Sequence, residues 1–497
     1  MKLARSVVAF AALALAGCPS PRPREVDDSV DPNLNLRWAW PLACKGSSAE
    51  CNAAVPLEHL HAATAACVQG TCVATACAAD HLDCGPDWGC ETQQSTEHCG
   101  TCGRACRWSS CIAGACNEPV QIAAGEEHTC AVRASGAVVC WGGNMSGELG
   151  NGTVDPSNAP SAVSGVTDAV EIAAGGGHTC ARRRAGDVVC WGYGDDGQLG
   201  DGRTTHAECA EGLGCSRTPV AVAGLSDAIE LAAGGHHTCA RRASGAVACW
   251  GGGLSGELGD GTTEQRLVPV AVSGLDDAVE LAAGESHTCA RRASGAGACW
   301  GDNTFGQLGD GTTERRLVPV AVSGLDDAVE LAAGGAQTCA RRASGAVACW
   351  GSGKLGQLGN GSTTVAQTTP VAVAGLPDAV AISVGARHGC AIRASGERAD
   401  SKGLVVCWGD NTDAQLGAPT GATCVDGFGA ARDCSPTPVA VAGLPGLYDD
   451  ALEITAGARH TCARRSQSFR AFACWGSGVL GTSYPRSLAP ADVSAPR

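Results

Sequence analysis

The sequence predicts an all-β protein, a seven-bladed β-propeller preceded by a small disulfide-rich module. Three observations carry this. One cassette recurs seven times between Gln121 and the C-terminus, with a Trp-Gly landmark at Trp141, Trp191, Trp250, Trp300, Trp350, Trp408 and Trp475. A period of about 50 residues holding several short strands marks a propeller or an array. Each copy offers four strand candidates, VELAAG, HTCARR, AVACW and PVAV, with the turn signals ASG, GDG and GLDD between them. Finally, 70 glycines and 31 cysteines among 497 residues describe a loop-rich, cross-linked chain long enough for a large propeller and a small module.

The elements follow in order. Lys2 and Arg5 precede a short apolar run, 7–16, that ends Leu15-Ala16-Gly17-Cys18. A charged start, a brief apolar stretch and small residues at its end form a secretory signal. The run is too short to span a bilayer. Its ending resembles the bacterial lipobox, so residues 1–17 are expected to be removed and Cys18 lipidated. Pro19 is not the aspartate that signals inner-membrane retention in that class, which favours the outer membrane. Residues 18–43 are Pro-rich, charged and aperiodic, the composition of a tether. Residues 44–116 hold 12 cysteines with few apolar residues between them, so disulfides are expected to replace a core. The CxxC at Cys99 and Cys102 is read as part of that framework and not as a zinc knuckle. Residues 118–497 are assigned to the propeller.

Export agrees with the composition. So many cysteines suit an oxidising compartment, and setting Cys18 aside leaves an even 30. A net charge of −15 argues against nucleic acid, whose affinity rests on Lys and Arg neutralising phosphate.

Within the repeats, cysteines fall in pairs: Cys130/Cys140, Cys180/Cys190, Cys239/Cys249, Cys289/Cys299 and Cys339/Cys349, then the wider Cys390/Cys407 and Cys462/Cys474. A hairpin loop centred on Ser294 places Cys289 opposite Cys299, within disulfide reach. Cassettes two and six carry insertions with their own pairs, Cys209/Cys215 and Cys424/Cys434. Both follow the GQLG or AQLG turn and are expected to rise from one face of the disc.

Other recurrent residues are read as structural. His128, His178, His237, His287, His388 and His460, with Gln337 in the fifth copy, sit two residues before the first cysteine of each pair. Blade symmetry holds them apart, so no shared metal is expected, and a bond to backbone at a turn is the reading adopted. The Arg pairs, such as Arg291/Arg292, should share a face with Asp276/Asp277 as solvated surface charge with weak ion pairs. Asp260 and Asp310 are single acids in Gly-rich turns, too few oxygens for calcium. No nucleophile elbow, HExxH or phosphate-cradling loop is present. No cofactor is expected, and the chain is read as not an enzyme.

The motif AAG-x-x-HT-x-A…SG-x-V-x-x-WG…GQLG-x-G…P-x-x-V resembles the regulator of chromosome condensation repeat over roughly residues 120–495. The resemblance implies a seven-bladed propeller. Its eukaryotic namesake is an exchange factor for a small GTPase, and secreted bacterial relatives include a β-lactamase inhibitory propeller. The module's end resembles short Cys-rich modules of myxobacterial surface proteins. The near-identical cassettes give no residue-level ground for exchange activity, and the last departs, with Gly478-Val479-Leu480-Gly481 in place of GQLG.

The functional expectation is therefore a monomeric, non-enzymatic lipoprotein of the cell envelope that touches the membrane only through its anchor. It is expected to bind a protein or glycan through loops on the insertion face. Tyr193, Phe305 and Phe428 are the aromatic candidates for that face. A secreted inhibitor of the β-lactamase inhibitory kind, and less so a nucleotide exchange factor, are the alternatives.

Overall fold

The computed structural model describes residues 117–442, apart from 204, 210–211 and 395–401, together with 451–465 and 472–478. At 207–208, 402, 486–492 and six short strands between 62 and 116 it describes the backbone. Cys18, the tether, the cysteine pairing of the module and the Val479–Leu480–Gly481 turn lie outside the described residues. Two compact units result, divided between Asn117 and Glu118. In the first, short antiparallel hairpins set Cys67 opposite Cys72 and Cys111 opposite Cys116.

The second unit is a seven-bladed propeller, with blades at 119–162, 169–221, 228–271, 278–321, 328–372, 379–440 and 451–492. Each blade is an antiparallel sheet of consecutive strands. In blade four these are the inner strand Ala278–Ala283, then His287–Arg292, Gly297–Gly301 and the outer strand Arg316–Ala321. Inner strands touch their neighbours around the whole ring, blade seven against blade one included. A proline in the outer strands, Pro269 and Pro319 for example, removes an N–H from each sheet's free edge and blocks further pairing there. The insertions add a fifth strand to two blades: Ala207–Glu208 pairs with Gly214–Ala221, and Ala422–Val425 with Ala431–Ala440.

The hairpin register explains the cysteine spacing. Arg292 N–H bonds Ala296 O across a tight loop in which Gly295 takes φ +87°, and Cys289 then faces Cys299. Counting back from that bond, the cysteines fall at a non-hydrogen-bonded pair, where opposed Cα atoms come closest. Cys130–Cys140, Cys180–Cys190, Cys239–Cys249, Cys289–Cys299, Cys339–Cys349, Cys390–Cys407 and Cys462–Cys474 are all disulfide-bonded, with Cα–Cα distances of 4.0 to 4.1 Å. Each joins the second and third strands of its own blade. Cys209–Cys215 and Cys424–Cys434 are bonded as well, at 5.9 and 5.8 Å.

The core lies between blades. Each landmark tryptophan is fully buried, and those of blades two to seven pack on the turn leucine of the preceding blade, as Trp350 does on Leu308. In these six the indole N–H donates to a backbone carbonyl of that same turn: Trp250 to Gln198 O at 2.9 Å, Trp300 to Glu257 O at 2.8 Å. The turn glycine is required by this contact. A Cβ on Gly259, already at φ +69°, would lie 2.7 Å from Trp300 Nε1. The third-strand cysteines share these clusters. Cys140 is buried with Trp191 of the next blade, Cys190 with Trp250, Cys349 with Trp408, Cys407 with Trp475, and Cys474 with Trp141 across the closure.

The histidines correct the expectation of a backbone bond. Each reaches sideways to a threonine of the next blade: His128 to Thr179, His178 to Thr238, His237 to Thr288, His287 to Thr338, His388 to Thr461 and His460 to Thr129, at 2.8 to 2.9 Å. The Thr288 hydroxyl spends its one proton on Glu257 O, the same carbonyl that takes Trp300, so His237 must donate from Nε2. Burial holds these imidazoles neutral, with His128, His178, His237 and His388 at about 3 and His287 and His460 at about 4. Between blades five and six both partners change together. Gln337 donates to Gly385 O and His388 O, and Gly389 stands where the threonine would be.

The arginine pairs are a second correction. The first member is largely buried and pairs with an inner-strand glutamate across the sheet, Arg291 with Glu280 at 2.6 Å, instead of lying in solvent. A bulge at Val279 sets Glu280 opposite Arg291. The second glutamate oxygen accepts Leu331 N–H of the next blade. Only the outer member meets the aspartate expected for it, as in Arg292–Asp277 at 2.7 Å. Asp260 and Asp310 close their turns on Thr262 and Thr312 and pair with Arg266 and Arg316.

Candidate binding face

Strand direction defines one busy face. In each antiparallel blade the inner and third strands run the same way, so the Ala-Ala-Gly ends and the third-strand exit loops emerge together. Both insertions leave from those exits. Glu118, where the chain joins the first inner strand, lies at the opposite end of that strand. The segments enclose a bowl of about 1280 Å³ at the axis.

The three aromatic residues singled out from the sequence all line this bowl, from blades two, four and six. Tyr193 meets His236 edge-on, with ring centroids 6.1 Å apart. Phe305 is half-buried on a loop pinned by Gln307, whose amide oxygen takes the Phe305 N–H while its nitrogen donates to Asp302. Phe428 is 98% exposed at the tip of the blade-six hairpin. That tip is rigidly built: Asp426 accepts the N–H groups of Phe428 and Ala430 and pairs with Arg432, while Cys424 and Cys434 pack at its base on Leu355 of blade five. The insertion of blade two contributes Leu213 to the wall.

The repeat cysteines take no part in this face. Cys130 with Cys140, Cys180 with Cys190, Cys339 with Cys349, Cys390 with Cys407 and Cys462 with Cys474 are wholly buried, as are their counterparts in blades three and four. No cysteine lines the bowl among the described residues. They are cross-links of the scaffold, and a ligand in the bowl meets none of their sulfurs.

The charges of the bowl divide into paired and unpaired. His236 bonds Asp196 at 2.9 Å, which raises its pKa, and Arg459 lies 3.8 Å from Asp413. Burial raises the Glu126 carboxyl, and the neighbouring charges of Glu127 and Glu285 raise it further. Among the described residues no group of three His, Cys, Asp or Glu side chains is placed to hold a metal ion.

A signal for this face was available in the sequence and is read only once the bowl is known. Residues 226–275 and 276–325 align without a gap and differ at eleven positions, seven of them within 235–236 and 252–257. Those two segments are the inner-strand end and the exit loop. Gly235 and His236 become Glu285 and Ser286, and Leu254 and Ser255 become Thr304 and Phe305, while the intervening HTCARRASGA is unchanged. The differences between copies concentrate where they surround the bowl, and of the four elsewhere only Val247 against Gly297 falls in the core.

Comparison with known proteins agrees with the architecture. Yeast RCC1 (Prp20), solved bound to Kap60, aligns with a TM-score of 0.60 at 22% identity, over 74% of this chain and 83% of that one. Human WBSCR16 aligns with a TM-score of 0.58 at 20% identity, over 77% and 92%. Prp20p from Saccharomyces cerevisiae, described with its binding to Gsp1p and histones, gives 0.56 at 20%, over 73% and 83%. At such identities the likeness is one of fold. No curated protein matches the sequence. The family model of the RCC1-like domain matches residues 84–463, and the chain belongs to that family.

Proposed function

We propose that this chain is an exported, lipid-anchored binding scaffold whose bowl recognises a protein at the cell envelope. The observation that carries the reading is the concentration of differences between cassettes in the segments around the bowl. Aromatic residues arrive there from three blades, and aromatic side chains dominate binding energy at protein interfaces. Kap60, Gsp1p and histones are partners of the yeast relatives and serve here only as precedent for a protein ligand. The RCC1-like propeller family is generally non-catalytic. Export, anchorage at Cys18 and an outer-membrane address rest on the signal, the Leu15-Ala16-Gly17-Cys18 ending and Pro19.

The test is cross-linked capture from envelope extract with the full chain, compared with a Tyr193→Ala, Phe305→Ala, Phe428→Ala variant. A partner of wild type that the triple variant retains undiminished sinks the reading. Labelling with a palmitate analogue checks the anchor, since label that survives Cys18→Ala excludes it. The same aromatic convergence favours a second reading, an inhibitor that covers the active site of a secreted enzyme. Unchanged hydrolysis by β-lactamases with the purified chain in excess removes that enzyme class.

A further inference from the structure

The bowl holds five charges that do nothing for the propeller. Among the described residues Glu126, Glu127, Glu285, Lys354 and Arg387 line it or its rim without an ion pair, whereas Arg459, His236 and Arg432 are each matched by an aspartate. Other blades build the same positions without charge. Gly235 and Gly335 stand where blades one and four have Glu126 and Glu285, Ala336 where blade six has Arg387, and Leu254 where blade five has Lys354. Packing therefore explains none of them. Their arrangement is ordered: the two glutamates come from well-separated blades to the same level of the throat, and the cations lie on the adjacent blades five and six between them. Glu126 feels the Glu285 charge, and the cations that ease it from a distance, His236 and Arg459, are themselves held by Asp196 and Asp413.

The size of the bowl selects the kind of ligand. At about 1280 Å³ it exceeds the roughly 300–1,000 Å³ typical of small-molecule pockets. Its rim is apolar, with Tyr193, Phe305, Leu355 and Phe428, and its uncompensated charges are of both signs. A neutral glycan would leave those charges unmatched.

We propose that the bowl receives one protein loop bearing both signs, a Lys or Arg that descends between Glu126 and Glu285 and an Asp or Glu that meets Lys354 and Arg387. This rests on the protein-binding reading above and names the chemistry of its partner. Complementary charge of this kind sets partner choice and register more than raw affinity.

A phage library of disulfide-closed loops selected against the full chain supplies the probe. Two charge variants, Glu126→Gly with Glu285→Gly and Lys354→Leu with Arg387→Ala, use residues that already occur at those positions in other blades, so the fold is kept. Selected loops that need Tyr193 and Phe305 should carry a basic and an acidic residue. Citrulline in place of the basic residue should weaken binding to wild type about tenfold, with no further loss on the glutamate-less variant. Asn or Gln in place of the acidic residue should show the same coupling to the Lys354, Arg387 pair. Loops that require the aromatics but bind both charge variants as tightly as wild type overturn the charge assignment alone. A neutral oligosaccharide that displaces the loops and binds all three proteins equally does so too. Loops that bind Tyr193→Ala, Phe305→Ala with unchanged affinity overturn the bowl itself.

Discussion

The coupled change at Gln337 and Gly389 makes a quantitative prediction for blades that have kept the histidine. In blades three and four, His237 Nε2 donates to Thr288 Oγ1 at 2.8 Å, with both residues wholly buried. Thr288→Gly removes the acceptor and strands an imidazole N–H in the interface, a loss of about 1–3 kcal/mol. The added backbone freedom of a strand glycine costs about 0.5–1 kcal/mol more. His237→Gln alone keeps the threonine, whose hydroxyl still donates to Glu257 O, but gives up the imidazole bond, at about 1 kcal/mol. Together the two recreate the blade five and six pairing. An amide there can reach Gly284 O and His287 O, as Gln337 reaches Gly385 O and His388 O. The vacated threonine volume can be taken by Trp300, since at Gly389 a Cβ would already lie 2.7 Å from Trp408 Cε2. The double variant should therefore lose at least about 1 kcal/mol less than the sum of the singles. Urea unfolding with the disulfides intact measures all four corners of the cycle. Losses that add to within about 0.5 kcal/mol would falsify the exchange of one clasp for another and leave the Gln337, Gly389 pair as drift.

Three further outcomes are expected. Because the unfolded chain protonates these histidines below about pH 6.5 while the folded chain holds His237 neutral down to about 3, their stabilisation is complete above pH 6.5 and is lost as pH falls. Each contributes about 1.4 kcal/mol per pH unit, with the raised carboxyls of Glu171 and Glu280 acting the other way. Removing one histidine in the double variant should flatten the slope of stability between pH 6 and 4 by one proton, and an unaltered slope counts against a buried neutral imidazole. Non-reducing peptide maps should recover Cys239–Cys249 and Cys424–Cys434, and Cys239→Ala with Cys249→Ala should cost about 2–3 kcal/mol; bridges found mainly between blades would contradict the register. Replacing 205–217 and 418–436 by the GDGTTERR connection of blade four should leave melting cooperative yet abolish partner capture, and capture at wild-type affinity would move the binding site to the opposite face.

Much of the fold was legible because the disulfide register and blade count follow from local spacing. Ten residues centred on a turn fix which cysteines oppose, and a repeated Trp-Gly counts the sheets. The partner of His237 was not legible, because it lies across an interface whose geometry no single cassette encodes, and that of Arg291 was not because a bulge at Val279 shifts the register that brings Glu280 opposite it. Co-variation among copies carried a trace of it. Where Glu280 has its counterpart Arg291, blade one has Gln121 opposite Val132 and blade six has Ala381 opposite Ile392, so the arginine disappears wherever the glutamate does. The aromatic trio was found by scarcity alone, since few aromatic residues lie outside the core. The unpaired charges beside it were missed because each stands in only one or two copies, against a background of copies that lack it.

The division between repeated and unrepeated residues also explains how this propeller stays closed while its face varies. Every blade is made of consecutive strands, so among the described residues no strand from the far terminus locks blade one into blade seven. Closure there depends on the clasps used elsewhere: His460 to Thr129, Glu453 to Ile122 N–H, and Thr455 to Ala124 N–H, joined by Trp141 packing against Phe472. The groups that hold the ring are therefore mostly ones that the cassette repeats, with Thr455 and Phe472 particular to blade seven, and they sit below the bowl. Around the bowl, a residue such as Glu285 or Phe305 can replace Gly235 or Ser255 without touching a clasp. Binding specificity can then change one blade at a time at almost no cost in stability. That independence is what the blade-for-blade substitutions proposed for the bowl rely on.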